Sequence, residues 1–301
     1  MTTATAPRIL SPARVVGDVR ATLGEGLCWS VREQALWWVD ILEHRLYREA
    51  LGGAHDAWAF DETISAVAER ANGAGLAVSL RRGLALFEPR TKELTRLEEP
   101  EPEREGNRFN DGKCDTSGRF WGGTMDFAVK APTGALYCFD AAGKAQRALD
   151  LGWIVTNGPT WTKDGRTMFV NDTVRRRIVA YAFDARTGAV GASREWLVLA
   201  PEDGHPDGMT TDAAGRLWIA QWGGSCVTCR DPATGAELAR IELPTAHISN
   251  VAFGGPEMST LFITSARFEL SDAQRAAQPL AGALFAVETH ATGLPANLFA
   301  G

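Results

Sequence analysis

Residues 157–172, NGPTWTKDGRTMFVND, place a polar residue, Asn157, roughly ten residues ahead of an apolar strand core. The same order recurs in five further blocks, at residues 24–40, 64–80, 110–126, 206–222 and 249–267. We call the polar residues that open the six blocks the marker residues: Glu25, Ser65, Asp111, Asn157, Asp207 and Asn250. A fixed period of roughly 40 to 50 residues built from strands is typical of a blade repeat.

Paired apolar runs follow each marker and are split by turn signals such as Asp164-Gly165 and Thr187-Gly188. Because the runs are short and lack an apolar stripe at helical spacing, they indicate strands. The sequence therefore predicts an all-β fold, a six-bladed β-propeller with four-stranded blades. Ring closure requires residues 13–19 to complete the last blade beside the C-terminal strands, and this expectation comes from topology alone.

No linker or shift in composition divides the chain, so we expect one propeller domain over residues 1–301, with residues 1–12 as a loose N-terminal tail. Residues 268–279, FELSDAQRAAQP, depart from strand character and indicate a short helix or a lid loop. The acidic stretch at residues 97–105 indicates an exposed loop that leads into Arg108.

Composition narrows the class of partner. The net charge is −6 and the isoelectric point is about 5.5. Nucleic acids and anionic membranes favour a basic surface, so neither is an expected partner. The five scattered cysteines do not suggest a disulfide framework, and no apolar run resembles a secretory signal or a membrane helix. We expect a cytoplasmic protein, monomeric or a small homo-oligomer, that acts on a small molecule.

Ring closure would bring equivalent positions of the repeat to one axis. Glu25, Asn157 and Asp207 could then meet, although each also lies in an ordinary turn sequence: LGEG, TNGP or HPDG. The shared phase of the three markers favours convergence over three unrelated turns. Two carboxylates and an amide are hard oxygen donors that suit a divalent cation. With open coordination positions, such a cation favours hydrolysis of an ester-type bond.

The segment at residues 108–113, RFNDGK, adds a second polar cluster. Arg108 offers a planar fork of donors, and Asn110 both donates and accepts, which suits a polyhydroxylated substrate. Asp111 and Lys113 could add charge nearby, or they could be a turn residue and a solvated strand residue. His205 could line the same pocket or lie on the surface, while the strand tryptophans are interpreted as blade core.

The chain resembles the senescence-marker-protein/gluconolactonase/regucalcin-like family of sugar lactonases over residues 23–287. The resemblance is carried by LGEG, WWVDI, RFNDGKCDTSGRFWGGTM, TNGPTWTKDGRTMFVND, PDGMTTDAAGRLWIAQWGG and TSAR. It implies a six-bladed propeller with one divalent metal at the channel mouth: calcium, zinc, magnesium, manganese or iron. It implies metal ligands at Glu25, Asn157 and Asp207.

The resemblance also implies substrate-binding groups at Arg108 and Asn110. In some members an acid soon after the Gly-Thr-Met segment contacts the substrate. Asp126 is the acid near that segment in this chain, offset from the family pattern, and is a candidate for the same role. Lys113 is a further candidate for substrate binding because of its place in RFNDGK. The neighbouring residues 127–129, Phe-Ala-Val, are expected to influence which substrate fits.

The implied activity is hydrolysis of a sugar lactone, such as glucono-, xylono- or arabinolactone, to the aldonic acid. In the expected mechanism the metal polarises the lactone carbonyl, and Asp207 also acts as the general base toward water. Two other hypotheses remain: a calcium-binding propeller without enzymatic activity, and a metal-dependent hydrolase of the phosphotriesterase type.

Overall fold

The computed structural model describes residues 5–301 as six four-stranded antiparallel sheets, arranged as the blades of a β-propeller, which confirms the predicted fold. The first twelve strands are β1 Arg14–Val16, β2 Gly24–Ser30, β3 Ala35–Asp40, β4 Arg45–Ala50, β5 His55–Ala59, β6 Ile64–Glu69, β7 Leu76–Leu80, β8 Leu84–Glu88, β9 Glu93–Arg96, β10 Asn107–Cys114, β11 Phe120–Asp126 and β12 Gly134–Phe139. The other twelve are β13 Ala145–Trp153, β14 Thr156–Trp161, β15 Thr167–Asp172, β16 Arg177–Asp184, β17 Ala189–Val198, β18 His205–Thr211, β19 Leu217–Trp222, β20 Cys226–Arg230, β21 Glu237–Glu242, β22 Ile248–Gly254, β23 Thr260–Ser265 and β24 Leu284–Glu288.

Helical structure within residues 5–301 is limited to a 3₁₀ turn, Pro201–Asp203, and one short helix, α1 Asp272–Ala277. Helix α1 lies in the stretch predicted as a short helix or lid loop. Its N-cap Ser271 and Gln274 form a reciprocal capping box, which explains why the helix begins there. Across the described residues, neither helical segment is long and apolar enough to cross a bilayer.

The six blades surround a central channel. The first five blades each use four consecutive strands, from β2–β5 to β18–β21, and the sixth combines β22, β23 and β24 with β1. The first strand of each blade is the innermost one, and each innermost strand contacts those of the two neighbouring blades. All six marker residues lie on innermost strands, as the repeat phase predicts.

Strand β1 closes the ring between the two ends of the chain. It pairs antiparallel with β24, with Val15 opposite Phe285, and this confirms the predicted closure. Residues 1–4 of the expected loose tail lie outside the described residues. The next part is held against the same blade, because the Leu10 N–H donates to the Glu288 carbonyl at 2.8 Å and Ile9 bridges to Thr289.

Aromatic side chains fill the space between blades. Trp29 of the first blade stacks on Phe262 of the sixth, with ring centroids 5.7 Å apart, and Trp218 of the fifth blade meets Phe253 of the sixth edge-on at 5.5 Å. Both tryptophans are buried. These contacts confirm the interpretation as blade core for Trp29 and Trp218, and they hold adjacent sheets at fixed spacing.

The acidic segment at residues 97–105 is mostly exposed, as predicted, but Glu101 is buried. Its carboxylate accepts hydrogen bonds from Tyr137 Oη at 2.9 Å and from Thr124 Oγ1 at 3.1 Å. The Asn107 amide adds a third bond at 2.8 Å. The expectation of an exposed loop is therefore wrong at this residue, because the third blade supplies enough donors to bury the charge.

The last ten residues, 292–301, cross the end of the channel opposite to the markers, and we call them the C-terminal strap. The strap forms backbone hydrogen bonds with the end of one innermost strand, at Glu69, and with the hairpins that follow three others, at Gly118, Ala213 and Met258. These residues belong to the second, third, fifth and sixth blades, so the strap joins the second and third blades to the fifth and sixth. The Phe299 side chain is fully buried beneath it.

We predict that Phe299→Ala lowers the free energy of unfolding by about 3–5 kcal/mol, because it leaves a cavity under the strap. Urea unfolding followed by tryptophan fluorescence measures the loss. Leu298→Ala is the matched control, since Leu298 is 40% exposed and its truncation is expected to change stability by no more than about 0.5 kcal/mol. Equal effects of the two substitutions would contradict a structural role for the strap.

Candidate active site at the channel mouth

Every innermost strand has an irregularity in its register at or beside its marker residue. The irregularities lie between Glu25 and Cys28, Ile64 and Ala66, Phe109 and Gly112, Asn157 and Thr160, Pro206 and Met209, and Ile248 and Asn250. A bulge bends a strand and redirects its side chains. The repeat therefore places a redirected polar residue at the same level of all six blades.

Glycines beside two of the markers allow the blades to approach closely at this level. Gly26 has a φ of +62°, and a Cβ there would lie 2.9 Å from the Ser65 carbonyl oxygen. A Cβ at Gly208 would lie 2.5 Å from the side chain of Asn250. Close contacts between neighbouring blades therefore require glycine at Gly26 of LGEG and at Gly208 of PDG.

A cavity of about 220 Å³ opens at this end of the channel. Its wall contains five of the residues that the sequence identifies as candidates: Glu25, Arg108, Asn110, Asn157 and Asp207. These residues come from the first, third, fourth and fifth blades. Their exposures range only from 2% to 8%, so they form the buried part of the cavity wall.

A chain of hydrogen bonds sets the orientation of the amides. Arg108 donates to Asn110 Oδ1 at 2.6 Å, and Asn110 Nδ2 donates to Asn157 Oδ1 at 2.7 Å. Asn157 Nδ2 in turn donates to Thr173 Oγ1 at 2.9 Å, and Thr173 donates to the Pro206 carbonyl at 2.8 Å. Because each donor has its acceptor, the Asn157 side chain has one orientation, and its oxygen keeps a second lone pair.

The two buried carboxyl groups of the cavity, those of Glu25 and Asp207, have little compensating charge nearby. Glu25 Oε2 accepts from Asn250 Nδ2 at 2.7 Å and from the Gly26 N–H at 3.2 Å. Among residues 5–301, neither Glu25 nor Asp207 forms an ion pair. Burial, and then the nearby Asp111, raise the pKa of Glu25 to about 8. Burial and the charge of Glu25 also raise the pKa of Asp207. The arrangement favours a cation between them.

Arg108 is the basic group of this cavity. Burial lowers its pKa to about 10, against the attraction of Glu25 and Asp207, so it remains charged near neutral pH. One terminal nitrogen of the guanidinium donates to both Asn110 Oδ1 and the Phe109 carbonyl oxygen, at 2.6 and 3.0 Å. The remaining donors of the guanidinium fork are available for a ligand.

Lys113 does not line this cavity. It follows the bulge of β10, and its ammonium donates to the Met209 carbonyl. It lines a separate cavity of about 150 Å³, which also contains strap residues 294–297. The expected substrate role of Lys113 does not match this position, because the register after the bulge directs its side chain toward the strap. Asp111 instead orders the backbone, accepting from the N–H groups of Gly112 at 2.8 Å and Gly158 at 2.9 Å.

Asp126 also lies outside the cavity wall. Its carboxylate accepts from the N–H groups of Ala131 at 2.8 Å, Lys130 at 2.9 Å and Ala128 at 3.3 Å. The structure therefore places this acid as the cap of the loop that follows β11, while its neighbours Met125 and Val129 line the cavity. This loop also brings Val129, with an unusual φ of +55°, to the edge of the cavity.

Several residues of the cavity wall are not marked by any motif in the sequence. Within the described chain, the further lining residues are Leu23, Met125, Val129, Val155, Thr173, Val174, His205, Trp222, Phe268 and Glu269. His205 was a candidate, and its Nδ1 pairs with the Thr173 carbonyl at 2.9 Å, which leaves Nε2 for a ligand. Most of the others are apolar residues beyond strand ends, where no polar motif marks them. Among residues 5–301, no three His, Cys, Asp or Glu side chains lie in a geometry that could hold a metal ion.

A profile of the SMP-30/gluconolactonase/LRE-like region matches residues 23–267. The chain belongs to this family. It is 37% identical to the L-arabinolactonase of Azospirillum brasilense over 96% of each chain. It is 36% identical to the pentonolactonase XacC of Haloferax volcanii, covering 95% of this chain and 97% of that protein. A solved structure described as the calcium-binding protein regucalcin from Agrobacterium tumefaciens has a TM-score of 0.90 and 30% identity, and covers 99% of both chains. The predicted family membership is confirmed.

We predict that Asp126→Ala loosens the loop at residues 126–131 and leaves any activity of the cavity largely intact. Hydrogen exchange should accelerate at the amides of Lys130 and Ala131, which lose their acceptor. Asp126→Asn, which keeps an acceptor oxygen, is the matched control.

The Ala131 N–H and its neighbours lower the pKa of Asp126, so the ionised carboxylate stabilises the loop above the ordinary pKa of about 4. This contribution should disappear as the pH falls through the lowered pKa. Unchanged exchange in Asp126→Ala would show that the carboxylate does not hold the loop.

Proposed function

We propose that the protein is a metal-dependent sugar lactonase, which hydrolyses an aldonolactone to its aldonic acid. The observation that carries the proposal is that Glu25, Asn157 and Asp207 line one buried cavity together with Arg108 and Asn110. Family membership and the names of two relatives, a pentonolactonase and an L-arabinolactonase, support lactone hydrolysis as the reaction.

The donor set of the cavity fits a divalent cation. Glu25 and Asp207 are buried without a cationic partner in contact, and the hydrogen bonds of Asn157 orient its amide oxygen. Hard oxygen donors of this kind suit calcium, magnesium or manganese, and zinc or iron are compatible. When bound, such a cation supplies Lewis-acid polarisation of the lactone carbonyl.

Arg108 and Asn110 have different roles in the proposed reaction. Arg108 retains free donors that can bind the sugar hydroxyls. The Asn110 amide is already engaged by Arg108 and Asn157, so its main contribution is to position both. This division refines the expectation that both residues bind the substrate directly.

Asp207 is the proposed general base. Its carboxylate takes a proton from the attacking water while the oxygen of that water forms a bond to the lactone carbonyl carbon. The ring C–O bond then breaks, and the ring oxygen leaves with a proton as the new hydroxyl group. Water and lactone are thereby converted to one hydroxy acid, without a redox partner.

We predict that Asp207→Asn lowers kcat for lactone hydrolysis by about 10² to 10⁴, because the amide cannot accept the proton. A pH-indicator assay on a panel of aldonolactones measures the rate, and circular dichroism checks the fold. Asp150→Asn is the control, since the Asp150 side chain is 63% exposed and outside the cavity. Full activity of Asp207→Asn would remove Asp207 from the mechanism.

We also predict that chelation lowers the melting temperature and that a restored divalent cation raises it. Binding at about 100 times the Kd stabilises a folded protein by about 2.7 kcal/mol. Glu25→Gln should lose most of this shift, whereas Glu93→Gln, at an exposed position on β9, should keep it. An equal shift in both variants would place the cation elsewhere.

A second candidate is a calcium-binding propeller without enzymatic activity, favoured by the description of the solved relative as a calcium-binding protein. The two candidates differ in one result. A cation-dependent thermal shift that depends on Glu25, with no turnover of any aldonolactone, would support the binding protein over the enzyme.

A further inference from the structure

Asn250, the marker residue of the sixth blade, contacts the cavity wall through Glu25 but is not part of that wall itself. Its side chain is fully buried, and both of its polar atoms are engaged. Oδ1 accepts from the Val251 N–H at 2.8 Å, and Nδ2 donates to Glu25 Oε2 at 2.7 Å. Because the Val251 N–H requires an acceptor, the amide has one orientation, in which its N–H₂ group faces Glu25.

The neighbouring blades leave the Asn250 amide little room to move. A Cβ at Gly208 would lie 2.5 Å from Cγ and Nδ2 of Asn250, so the backbone of the fifth blade packs directly against the amide. The same amide is bonded to Glu25 of the first blade. The donor is therefore fixed in place by close packing as well as by its hydrogen bonds.

The two carboxylate oxygens of Glu25 have different surroundings. Oε2 accepts from Asn250 and from the Gly26 N–H, at 2.7 and 3.2 Å, and these bonds occupy both of its lone pairs. Within residues 5–301, Oε1 has no hydrogen bond. Glu25 therefore offers one free oxygen to a ligand, and the bond from Asn250 determines which oxygen that is.

The other two proposed metal ligands are also held by an asparagine of the preceding blade, but in a different way. Asn110 Nδ2 donates to Asn157 Oδ1 at 2.7 Å, which is the single oxygen that this amide has. Asn171 Nδ2 donates to the main-chain carbonyl oxygen of Asp207 at 2.5 Å, and does not bond its carboxylate. Asn250 is therefore the amide of this set that changes how many oxygens a carboxylate ligand offers.

Divalent cations differ in what they require of a carboxylate ligand. Calcium takes about six to eight oxygens in a flexible geometry, and it accepts both oxygens of one carboxylate. Magnesium requires a nearly ideal octahedron and keeps several of its water molecules. A carboxylate that is held to one free oxygen therefore suits magnesium, and one that is free to offer both suits calcium.

We propose that Asn250 is a positioning residue that restricts Glu25 to one free oxygen, and that this restriction sets the preference of the site between magnesium and calcium. With the Asn250 bond in place, Glu25 offers Oε1 alone. Without it, Oε2 loses its shorter hydrogen bond and both oxygens become available. The inference rests on the cation site of the proposed function, and it adds a residue that acts through Glu25.

Asn250→Leu tests this role with little change of shape, because leucine has the same branched skeleton as asparagine. Asn250→Ala removes the amide without placing methyl groups against Glu25, and it provides the test if Asn250→Leu does not fold. The matched control is Asn107→Leu. Asn107 is also buried and donates to a buried carboxylate, Glu101 Oε2, at 2.8 Å, but neither residue lines the cavity.

Isothermal titration calorimetry of the chelated proteins, with Mg²⁺ alone and with Ca²⁺ alone, measures the two Kd values, and circular dichroism checks the fold. Both Asn250 variants should raise the Kd for Mg²⁺ by about 10- to 100-fold, the usual effect of removing a group that orients a metal ligand. The Kd for Ca²⁺ should rise less, so the ratio of the two values moves several-fold toward calcium. Asn107→Leu should leave both Kd values unchanged, although it loses a similar buried bond.

Unchanged Mg²⁺ binding in the folded Asn250 variants would overturn the proposal. An equal loss of affinity for the two cations would also overturn it, because that result indicates general damage to the site. Binding of both cations as expected, with no turnover of any aldonolactone, would overturn the lactonase function and still support the role of Asn250. The failure of the proposed function is thus distinguishable from the failure of this inference.

Discussion

Pairing between Arg14–Val16 and Leu284–Glu288 joins the two ends of the chain, and the distances across the channel depend on it. Glu25 belongs to the first blade and Asn250 to the last, yet their side chains are hydrogen-bonded at 2.7 Å. That bond exists only in the closed ring. A site built from distant blades is therefore complete only when the propeller is complete, so folding and assembly of the cavity are one event.

The closed ring also explains how two carboxyl groups remain buried at one point. An uncompensated buried charge is expensive, and the rise in the pKa of Glu25 and of Asp207 expresses that cost. The aromatic packing between blades, as at Trp29 and Phe262, supplies stabilising burial far from the channel. The propeller can therefore tolerate the buried carboxyl groups of Glu25 and Asp207, because packing between the blades stabilises the fold.

Much of this architecture follows from repetition in the sequence. The period predicts the blades, and the phase of Glu25, Asn157 and Asp207 predicts that they face one cavity, since equivalent positions in a ring converge. The position of the Lys113 side chain does not follow from the repeat. It lies only two residues after a marker, but the bulge between Phe109 and Gly112 changes the face of the strand that follows, and no residue type records that change.

Residues outside the repeat were harder to place. Asp126 has the chemistry of a substrate ligand, and only its contacts with the N–H groups of residues 128, 130 and 131 show that it caps a loop. The apolar residues of the cavity wall were not predicted, apart from the expected influence of residues 127–129 on substrate fit, because apolar side chains near strand ends resemble ordinary core or surface residues in a sequence. Their meaning depends on which of them share a wall.

The C-terminal strap affects the end from which a molecule can enter the channel. Residues 294–297 lie over the far opening, and the Asn297 amide donates to the Cys114 carbonyl at 3.0 Å. The strap thus covers the channel at the end opposite to Glu25 and Asp207. The side of the cavity where Val129 and Val174 are partly exposed is therefore the route by which a molecule reaches these carboxyl groups.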